Sequence, residues 1–455
     1  MAGSTWIRSF NETDADGGMA DSHELGTKSA GLFEMSGLGL AVPPGFTIST
    51  AACAQFFANE QRWPDTLQDE LSAAVSRLEA ATGRQLGHRD NPLLVAVRSG
   101  AEHRMPGVLE TVLDLGLNDQ TVIGLSERSG GRFAWDSYRR FVQMFGDVVL
   151  GIHHTRFQRS QDELLADTSL DAASEEQLQA LVVRFQDVIR TSGHRFPQDP
   201  TEQLQLTIDA VFRSTNSHRA RYYRRSHGIA DDAGTAVTIQ AMVFGNLDAN
   251  SGTGICFSRN PKSGEAGVFG EWQPLAQGED VLAGDRIPSD LDGLKAQHPD
   301  IHAQLVQVST KLEAHFSDVQ QVEFTVESGR LWLLQTTTAD RGIQAAVRIA
   351  VDLVSEGQIT QEQALHRISP PDLEKLLRPV IAPDARRRVL ATGLDASPGA
   401  AVGRVVFHAA DCQAFLDDGE PTILVRNDTS PEDIQGMTIA RGILAARGGQ
   451  TSHAA

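Results

Sequence analysis

The spacing of apolar residues predicts a helical region in the first half of the chain. Apolar positions recur with a helical period over residues 52–82 (broken near Trp63-Pro64), 132–152, 175–191 and 201–226. In the second of these segments, Phe133, Phe141 and Phe145 fall on or near one face of the helix. Amphipathic helices bury their apolar face, so we expect this aromatic stripe to form core rather than a cofactor site.

Short apolar or alternating runs predict β-sheet in the rest of the chain. LLVAVRSG has this pattern before residue 100, and TAVTIQAMVFGN, VEFTVESGRLWLLQT, GRVVFH, TILVR and GILAA have it after residue 234. In VEFTVESGRLWLLQT, two alternating strands are joined by Glu-Ser-Gly, which predicts a β-hairpin. The helical period returns over residues 342–377. Separate helical and strand-rich regions predict a multidomain α+β fold, or a mixed α/β fold.

Composition places the chain among soluble multidomain proteins. It has 455 residues, of which 40% are apolar and 22% are charged. No apolar run is long enough to span a bilayer, and the N-terminal residues lack the apolar core of a signal peptide. We therefore expect a cytoplasmic location and no membrane partner. The three cysteines have no metal-ligand spacing, so we expect reduced, buried thiols.

The net charge of −19 disfavours nucleic acid as a partner. ATP remains compatible with this charge, because a nucleotide site needs only a few local cations. The strongest basic segment is RSTNSHRARYYRRS, which begins at Arg213 and contains two tyrosines. It is either an RNA-binding helix or a solvated helix face on an acidic body. We expect the second.

Two basic residues next to glycines are candidate phosphate ligands. Lys28 lies in LGTKSAG, before a helix predicted over 29–37, and this segment lacks two glycines of the Walker A loop. It is either a phosphate-binding lysine or a surface lysine. Arg98 lies at the end of the apolar strand predicted in LLVAVRSG, where a guanidinium either forms a structural ion pair or holds phosphate oxygens. Gly100 and Gly107 flank a loop that could close over a ligand.

Polar residues within the strands after residue 250 suggest further ligands. Glu323 and Gln335 interrupt the two apolar strands of the predicted hairpin. If they point inward, their oxygens suit Mg²⁺ bound to nucleotide phosphates; if they point outward, they are solvated. In SGTGICFSRNP, a glycine turn near Arg259 and Asn260 predicts either an anion-binding nest or an ordinary hairpin.

His453 follows two glycines and two hydroxyl residues in GGQTSHAA. The glycines predict a tight turn, and Thr451 or Ser452 predicts a helix N-cap, with His453 in the first helical turn. A phosphoryl group on its imidazole would lie near unsatisfied backbone N–H groups and the positive end of the helix dipole. The same field keeps the ring neutral and nucleophilic at neutral pH. The alternative is an incidental loop histidine, and we predict a phosphoryl carrier.

These segments occur together in one known order. LGTKSAGLFEMSGLGLAVPPGFTIST, VAVRSGAEHRMPGVLETVLDLGLND, FAWDSYRRFVQMFGDVVLGI, QAMVFGNLDANSGTGICFSRNPKSGE, ILVRNDTSPEDIQGM and GILAARGGQTSHAA resemble the N-terminal part of the pyruvate, phosphate dikinase family. The resemblance to phosphoenolpyruvate synthase is looser. The match covers nearly the whole chain. It implies an ATP-grasp nucleotide-binding domain at 1–340 with a helical insert at about 130–230, a helical linker at 341–390, and a swivelling phosphohistidine domain at 391–455.

The resemblance also implies residue roles with ATP and Mg²⁺ as cofactors. Lys28 and Arg98 would hold ATP phosphates beneath the loop of Gly107, and His453 would accept the phosphoryl group. Gln240, Met242 and Val243 would run past the adenine, and Glu279 would lie at the border of the nucleotide site. Glu323 and Gln335 would bind the metal and the phosphates. In this family the β-phosphoryl group is retained and AMP is formed. The carrier then delivers it to pyruvate or another acceptor.

Two departures from the family pattern bear on catalysis. Gln321 stands where the family has an acidic residue, and Thr337 stands where it has an arginine. Loss of the carboxylate weakens Mg²⁺ binding, and loss of the guanidinium removes stabilisation of the transferring phosphoryl group. Arg341 and Arg259 are candidate replacements. The alternative function is a catalytically impaired nucleotide-binding or regulatory partner subunit.

A third departure concerns the extent of the match. The family's phosphohistidine domain continues beyond the position of His453, and the barrel that binds pyruvate is absent from the sequence. The resemblance therefore implies an incomplete carrier domain. Either the sequence is a fragment, or it is a short form whose phosphoryl acceptor lies elsewhere, such as on a separate chain. Dimer contacts in the family come largely from that barrel, so we expect a monomer.

Overall fold

The computed structural model describes residues 6–10, 18–101, 111–166, 168–230, 234–278, 280, 288–370, 373, 390–394, 396–397, 400–449 and 452. These form two compact units, Met1–Val243 and Phe244–Ala455. Both units contain helices and sheets, which confirms the predicted α+β class. The predicted domain boundaries at 340 and 390 divide the chain differently and remain predictions.

The first unit contains a five-stranded antiparallel sheet in the order β1-β2-β7-β5-β6. The strands of this unit are β1 (Ile7–Ser9), β2 (Gly45–Ile48), β3 (Gln85–Leu86), β4 (Pro92–Leu93), β5 (Val95–Ala101), β6 (Thr111–Leu115) and β7 (Thr235–Ala241). Strand β7 is buried along its whole length, as expected for a strand near the centre of a sheet.

The helices of the first unit largely follow the predicted periods. They are α1 (Ser22–Gly37), α2 (Thr50–Ala58), α3 (Leu67–Thr82), α4 (Thr121–Ser129), α5 (Gly131–Met144), α6 (Thr155–Leu165), α7 (Glu175–Thr191), α8 (Pro200–Ser214) and α9 (His218–Ser226). A π-helical turn, Phe145–Val149, follows α5. Helix α7 begins at its predicted residue because Ser174 and Gln177 form a capping box. The predicted helix over 201–226 divides in two, since Ser217 caps α9.

The aromatic stripe predicted as core is buried. Phe141 and Phe145 are fully buried, and Phe133 is nearly so. In the basic segment, Arg224 is fully buried and donates to the carbonyl oxygen of Thr215, whereas Arg221 and Arg225 of α9 are exposed.

The second unit contains a five-stranded antiparallel sheet in the order β10-β9-β8-β11-β12 and a three-stranded parallel sheet in the order β13-β14-β15. Its strands are β8 (Gly252–Arg259), β9 (Ala266–Pro274), β10 (Ser289–Asp290), β11 (Gln320–Glu327), β12 (Arg330–Thr338), β13 (Arg404–Val406), β14 (Thr422–Arg426) and β15 (Gly442–Ala445). Strands β11 and β12 form the predicted hairpin, turning at Ser328 and Gly329, which both have positive φ.

Helices cover both faces of the larger sheet. The helices of the second unit are α10 (Leu291–Gln297), α11 (Pro299–Phe316), α12 (Ile343–Ser355), α13 (Gln361–His366), α14 (Ala409–Asp417) and α15 (Ile434–Ile439). Helix α11 packs on the face that carries Cys256, and α12 packs on the opposite face against Ile255 and Phe257. Side chains alternate between the faces of a strand, so Glu323, which pairs with Ile255, lies on the same face as α12.

The cysteines are free and buried, as predicted. Burial raises the pKa of Cys53 and Cys256 to about 11 each, so both thiols are protonated and unreactive at neutral pH. Among the described residues, no helix is long and apolar enough to cross a membrane.

Candidate functional site

Lys28 lies in α1, two residues after a break in the helix. Gly26 at this break has φ 72° and ψ 151°. A Cβ atom there would lie 2.2 Å from the carbonyl oxygen of Gly100, so only glycine fits. The helix predicted over 29–37 thus begins earlier, at Ser22, and Lys28 lies in the first turn of its regular part.

Arg98 lies inside β5, not at its end as predicted, since the strand continues to Ala101. It is half-buried in a strand whose other residues are all buried. Its direct partners are Thr238 on β7 and Thr111 on β6. Side chains of directly paired residues share a face, so Arg98 and Thr238 point to the same side of the sheet.

The predicted adenine-side residues lie at the end of β7. Gln240 is buried, and its amide nitrogen donates to the carbonyl oxygen of Pro43 at 3.1 Å. Met242 is buried just beyond the strand, where its backbone N–H donates to the carbonyl oxygen of Leu94. Val243 follows and is half-buried. The structure thus places Lys28, Arg98 and these three residues in the first unit.

Glu323 and Gln335 are direct cross-strand partners in the hairpin. Gln335 is only 4% exposed, and its Oε1 atom is buried with no hydrogen-bond partner among the described residues. A buried carbonyl oxygen without a partner is unfavourable unless a ligand occupies it. A carboxylate beside an unsatisfied amide oxygen is a donor set that Mg²⁺ accepts, so these residues fit the predicted metal.

Gln321 and Thr337, the two departures from the family pattern, are also direct cross-strand partners. They form the pair next to Glu323 and Gln335 on the same face, since side chains two residues apart share a face. The Oγ1 atom of Thr337 is buried, and it too has no hydrogen-bond partner within the described part of the chain. An uncharged pair therefore stands where the resemblance implies an acid opposite an arginine, and the local net charge is unchanged.

Neither arginine considered as a replacement is available. Arg259 is buried and donates to Glu313 at 2.7 Å and to Glu356 at 2.6 Å. Burial lowers the pKa of Arg259, but the two carboxylates outweigh that effect and raise it. Arg341 forms a two-point ion pair with Asp318 at 2.8 and 3.1 Å. Both guanidinium groups hold the fold together.

The glycines of SGTGICFSRNP do not form the predicted turn or nest. Gly252 and Gly254 lie inside β8, which is buried throughout. A Cβ atom on Gly252 would lie 2.2 Å from the Trp272 ring, and one on Gly254 would lie 2.6 Å from the Phe324 ring. The two rings are stacked with centroids 6.0 Å apart. The glycines make room for this aromatic pair, and the nest prediction is wrong.

The glycine turn before His453 lies against a carboxylate that sequence reasoning missed. Gly448 has φ 116°, as a tight turn requires, and a Cβ atom on Gly449 would lie 2.6 Å from an oxygen of Glu271. Glu271 on β9 pairs with Ile255, which pairs with Glu323. One row across four strands therefore contains Glu271, Ile255, Glu323 and Gln335. The alternation of Glu271 and Gln273 around Trp272 was the available sequence signal.

Three predicted site residues lie outside the described residues. They are Gly107, Glu279 and His453. Ser452 is described, and its backbone N–H donates to the carbonyl oxygen of Gly449 at 3.2 Å.

Comparisons with known proteins identify two family regions. Residues 59–299 match the model of the pyruvate phosphate dikinase AMP/ATP-binding domain, and residues 418–455 match that of the PEP-utilising enzyme mobile domain. The chain is 46% identical, over 99% of its length, to pyruvate, phosphate dikinase from Rhizobium meliloti (strain 1021) and covers 52% of that protein. It is 48% identical, over 98% of its length, to pyruvate, phosphate dikinase 2 from Oryza sativa subsp. japonica and covers 51% of it.

A further relative is the chloroplastic pyruvate, phosphate dikinase 1 of Arabidopsis thaliana, which is 46% identical over 99% of this chain, with 47% of the relative covered. The chain therefore spans about half the length of the curated relatives that it matches.

Proposed function

The chain belongs to the pyruvate, phosphate dikinase family, and from this premise we propose that it transfers a phosphoryl group from ATP to His453. The final acceptor is pyruvate, phosphate or another small molecule, bound in a further part of the enzyme or on a separate chain. Neither nucleic acid nor membrane is part of the proposal. Its location is the cytoplasm, although several plant relatives are named chloroplastic.

One observation carries this proposal. The glycine turn that precedes His453 lies against Glu271, in the same strand row as Glu323 and Gln335. The candidate carrier segment and the candidate metal ligands therefore share one face of one sheet. A carrier histidine must approach the nucleotide phosphates, so this shared face is the arrangement that the reaction requires.

The proposed roles follow from the chemistry of each group. Lys28 and Arg98 neutralise and orient the polyphosphate, with the loop of Gly107 above it. Glu323 and Gln335 would hold Mg²⁺, which when bound offsets phosphate charge during transfer. Of the remaining proposed contacts, Gln240, Met242 and Val243 lie beside the adenine, and Glu279 lies at the border of the site.

In the proposed step, Nε2 of His453 forms a bond to the β-phosphorus as the bond between that atom and the α–β bridging oxygen breaks. AMP leaves with the electron pair. The γ-phosphoryl group then passes to inorganic phosphate, which leaves as pyrophosphate. Catalysis by the chain's own residues is mainly positioning and charge neutralisation.

A second function is favoured by one feature, the uncharged pair of Gln321 and Thr337. A site without the guanidinium and second carboxylate would hold ATP with little turnover. The chain would then be a nucleotide-binding or regulatory partner subunit.

Labelling of His453 separates the two functions. The protein is incubated with Mg²⁺, phosphate and ATP labelled at the β or the γ position, and the peptide of His453 is analysed by mass and radioactivity. His453→Ala is the control. Acid-labile β label with AMP release supports the proposal, whereas γ label with ADP release overturns the β-phosphoryl assignment. ATP binding without label favours the partner subunit.

A further inference from the structure

A cluster of three buried hydroxyl groups joins α1 to the central strands of the first sheet. The Oγ atom of Ser29 lies 2.5 Å from Oγ1 of Thr238, and Oγ1 of Thr47 lies 3.4 Å from the same Thr238 atom. Ser29 and Thr47 are 0% exposed and Thr238 is 2% exposed. Buried hydroxyls need partners, and here the short bond between Ser29 and Thr238 supplies one to each.

This bond lies between the two basic residues of the first unit. Ser29 directly follows Lys28 in α1, and Thr238 is the direct antiparallel partner of Arg98. Because paired residues share a face of the sheet, Thr238 and Arg98 point toward α1 together. The contact of Ser29 with Thr238 therefore links the residue that follows Lys28 to the residue that pairs with Arg98.

A second contact holds the same helix end against β5, the strand of Arg98. Gly26 lies two residues before Lys28, and its missing side chain lets it approach Gly100, two residues after Arg98. The hydroxyl of Thr27 donates to the carbonyl oxygen of Ala101 at 3.3 Å. These contacts set how closely α1 approaches β5. The bond between Ser29 and Thr238 adds a side-chain link from the same end of α1 to β7.

We propose that Ser29 and Thr238 are positioning residues that orient Lys28 relative to Arg98 for a shared polyphosphate ligand. This inference rests on the proposed function, in which both cations hold ATP phosphates. The tip of a long side chain lies about 5–6 Å from the helix axis, so a rotation of α1 by about 20° would move the end of Lys28 by about 2 Å. Misplacement of about 1 Å can reduce a rate by about 100-fold.

A double-mutant cycle in the whole chain tests the inference. The affinity for ATP with Mg²⁺ is measured by calorimetry in Ser29→Ala, Lys28→Met and the double variant. Ser29→Ala should weaken affinity about 5-fold to 20-fold alone and less than 2-fold when Lys28 is already Met, because it acts through Lys28. Equal losses in both backgrounds would mean that the bond is merely structural, and would overturn the inference.

Matched variants complete the design. Thr238→Val should reproduce the loss of ATP affinity seen in Ser29→Ala. Thr238→Ser, which keeps the hydroxyl, should bind ATP with wild-type affinity. Thr47→Val alters the same cluster on β2, away from Arg98, and should leave ATP affinity unchanged. A loss in Thr47→Val equal to that in Thr238→Val would overturn the inference. If Lys28→Met itself leaves affinity unchanged, the proposed phosphate role of Lys28 fails, an outcome distinct from additivity.

Discussion

The uncharged pair of Gln321 and Thr337 offers a direct test of the hairpin register and of its role. Gln321→Asp and Thr337→Arg, made singly and together, would introduce an ion pair at adjacent positions on β11 and β12. Directly opposite side chains on antiparallel strands have Cβ atoms about 5 Å apart. We therefore expect the two new charges to interact.

The expected magnitude follows from the separation and the burial. Two unit charges about 5 Å apart interact by about 3 kcal/mol at an effective dielectric constant of about 20. Both positions are half-exposed, so screening by water reduces this value to about 1–2 kcal/mol. Gln321→Asp alone should lower stability by about 0.5–1 kcal/mol without metal, because its carboxylate lies on the same face as Glu323, and Mg²⁺ should reverse that loss.

Urea unfolding of the wild type, both single variants and the double variant gives the coupling energy. Nucleotide binding and His453 labelling are measured on the same samples. We expect Thr337→Arg to accelerate labelling at least 10-fold, since it adds a cation beside the transferring group. Coupling below about 0.3 kcal/mol would refute the facing arrangement of the two side chains. Unchanged labelling in the double variant would refute the argument that the uncharged pair limits transfer.

Three further changes test other parts of the structure. Burial raises the pKa of Asp136, but two neighbouring arginines outweigh it and lower the pKa to about 2. Asp136→Asn should therefore destabilise the protein by about 2 kcal/mol at pH 7, a difference that disappears as pH falls from about 4 to 2 in urea unfolding. Arg259→Met should lower the free energy of unfolding by about 3–5 kcal/mol, because it leaves the buried Glu313 without its cation; Arg259→Lys should lose less. Gly449→Ala should slow His453 labelling about 10-fold with little change in melting temperature, because the nearest atoms to the added Cβ belong to the carboxylate end of Glu271 and not to backbone, and Glu271→Ala in the same chain should restore the rate.

Local signals in the amino-acid sequence determine much of the fold. Helix α7 has its predicted bounds, and the β11–β12 hairpin has its predicted turn. Both follow from local sequence because capping, helical period and turn chemistry act over a few neighbouring residues. The aromatic stripe of α5 was assigned to the core on the same basis. The sequence motifs also pointed to the family, and the comparisons confirmed it.

Only the tertiary structure decided which distant residues meet. The contact of Ser29 with Thr238 and the approach of Gly449 to Glu271 both depend on the docking of elements that are distant in sequence. The glycines of β8 were misassigned for the same reason, since the rings that they accommodate lie on other strands. Register and docking are set by the packing of the whole core, and no local pattern records them.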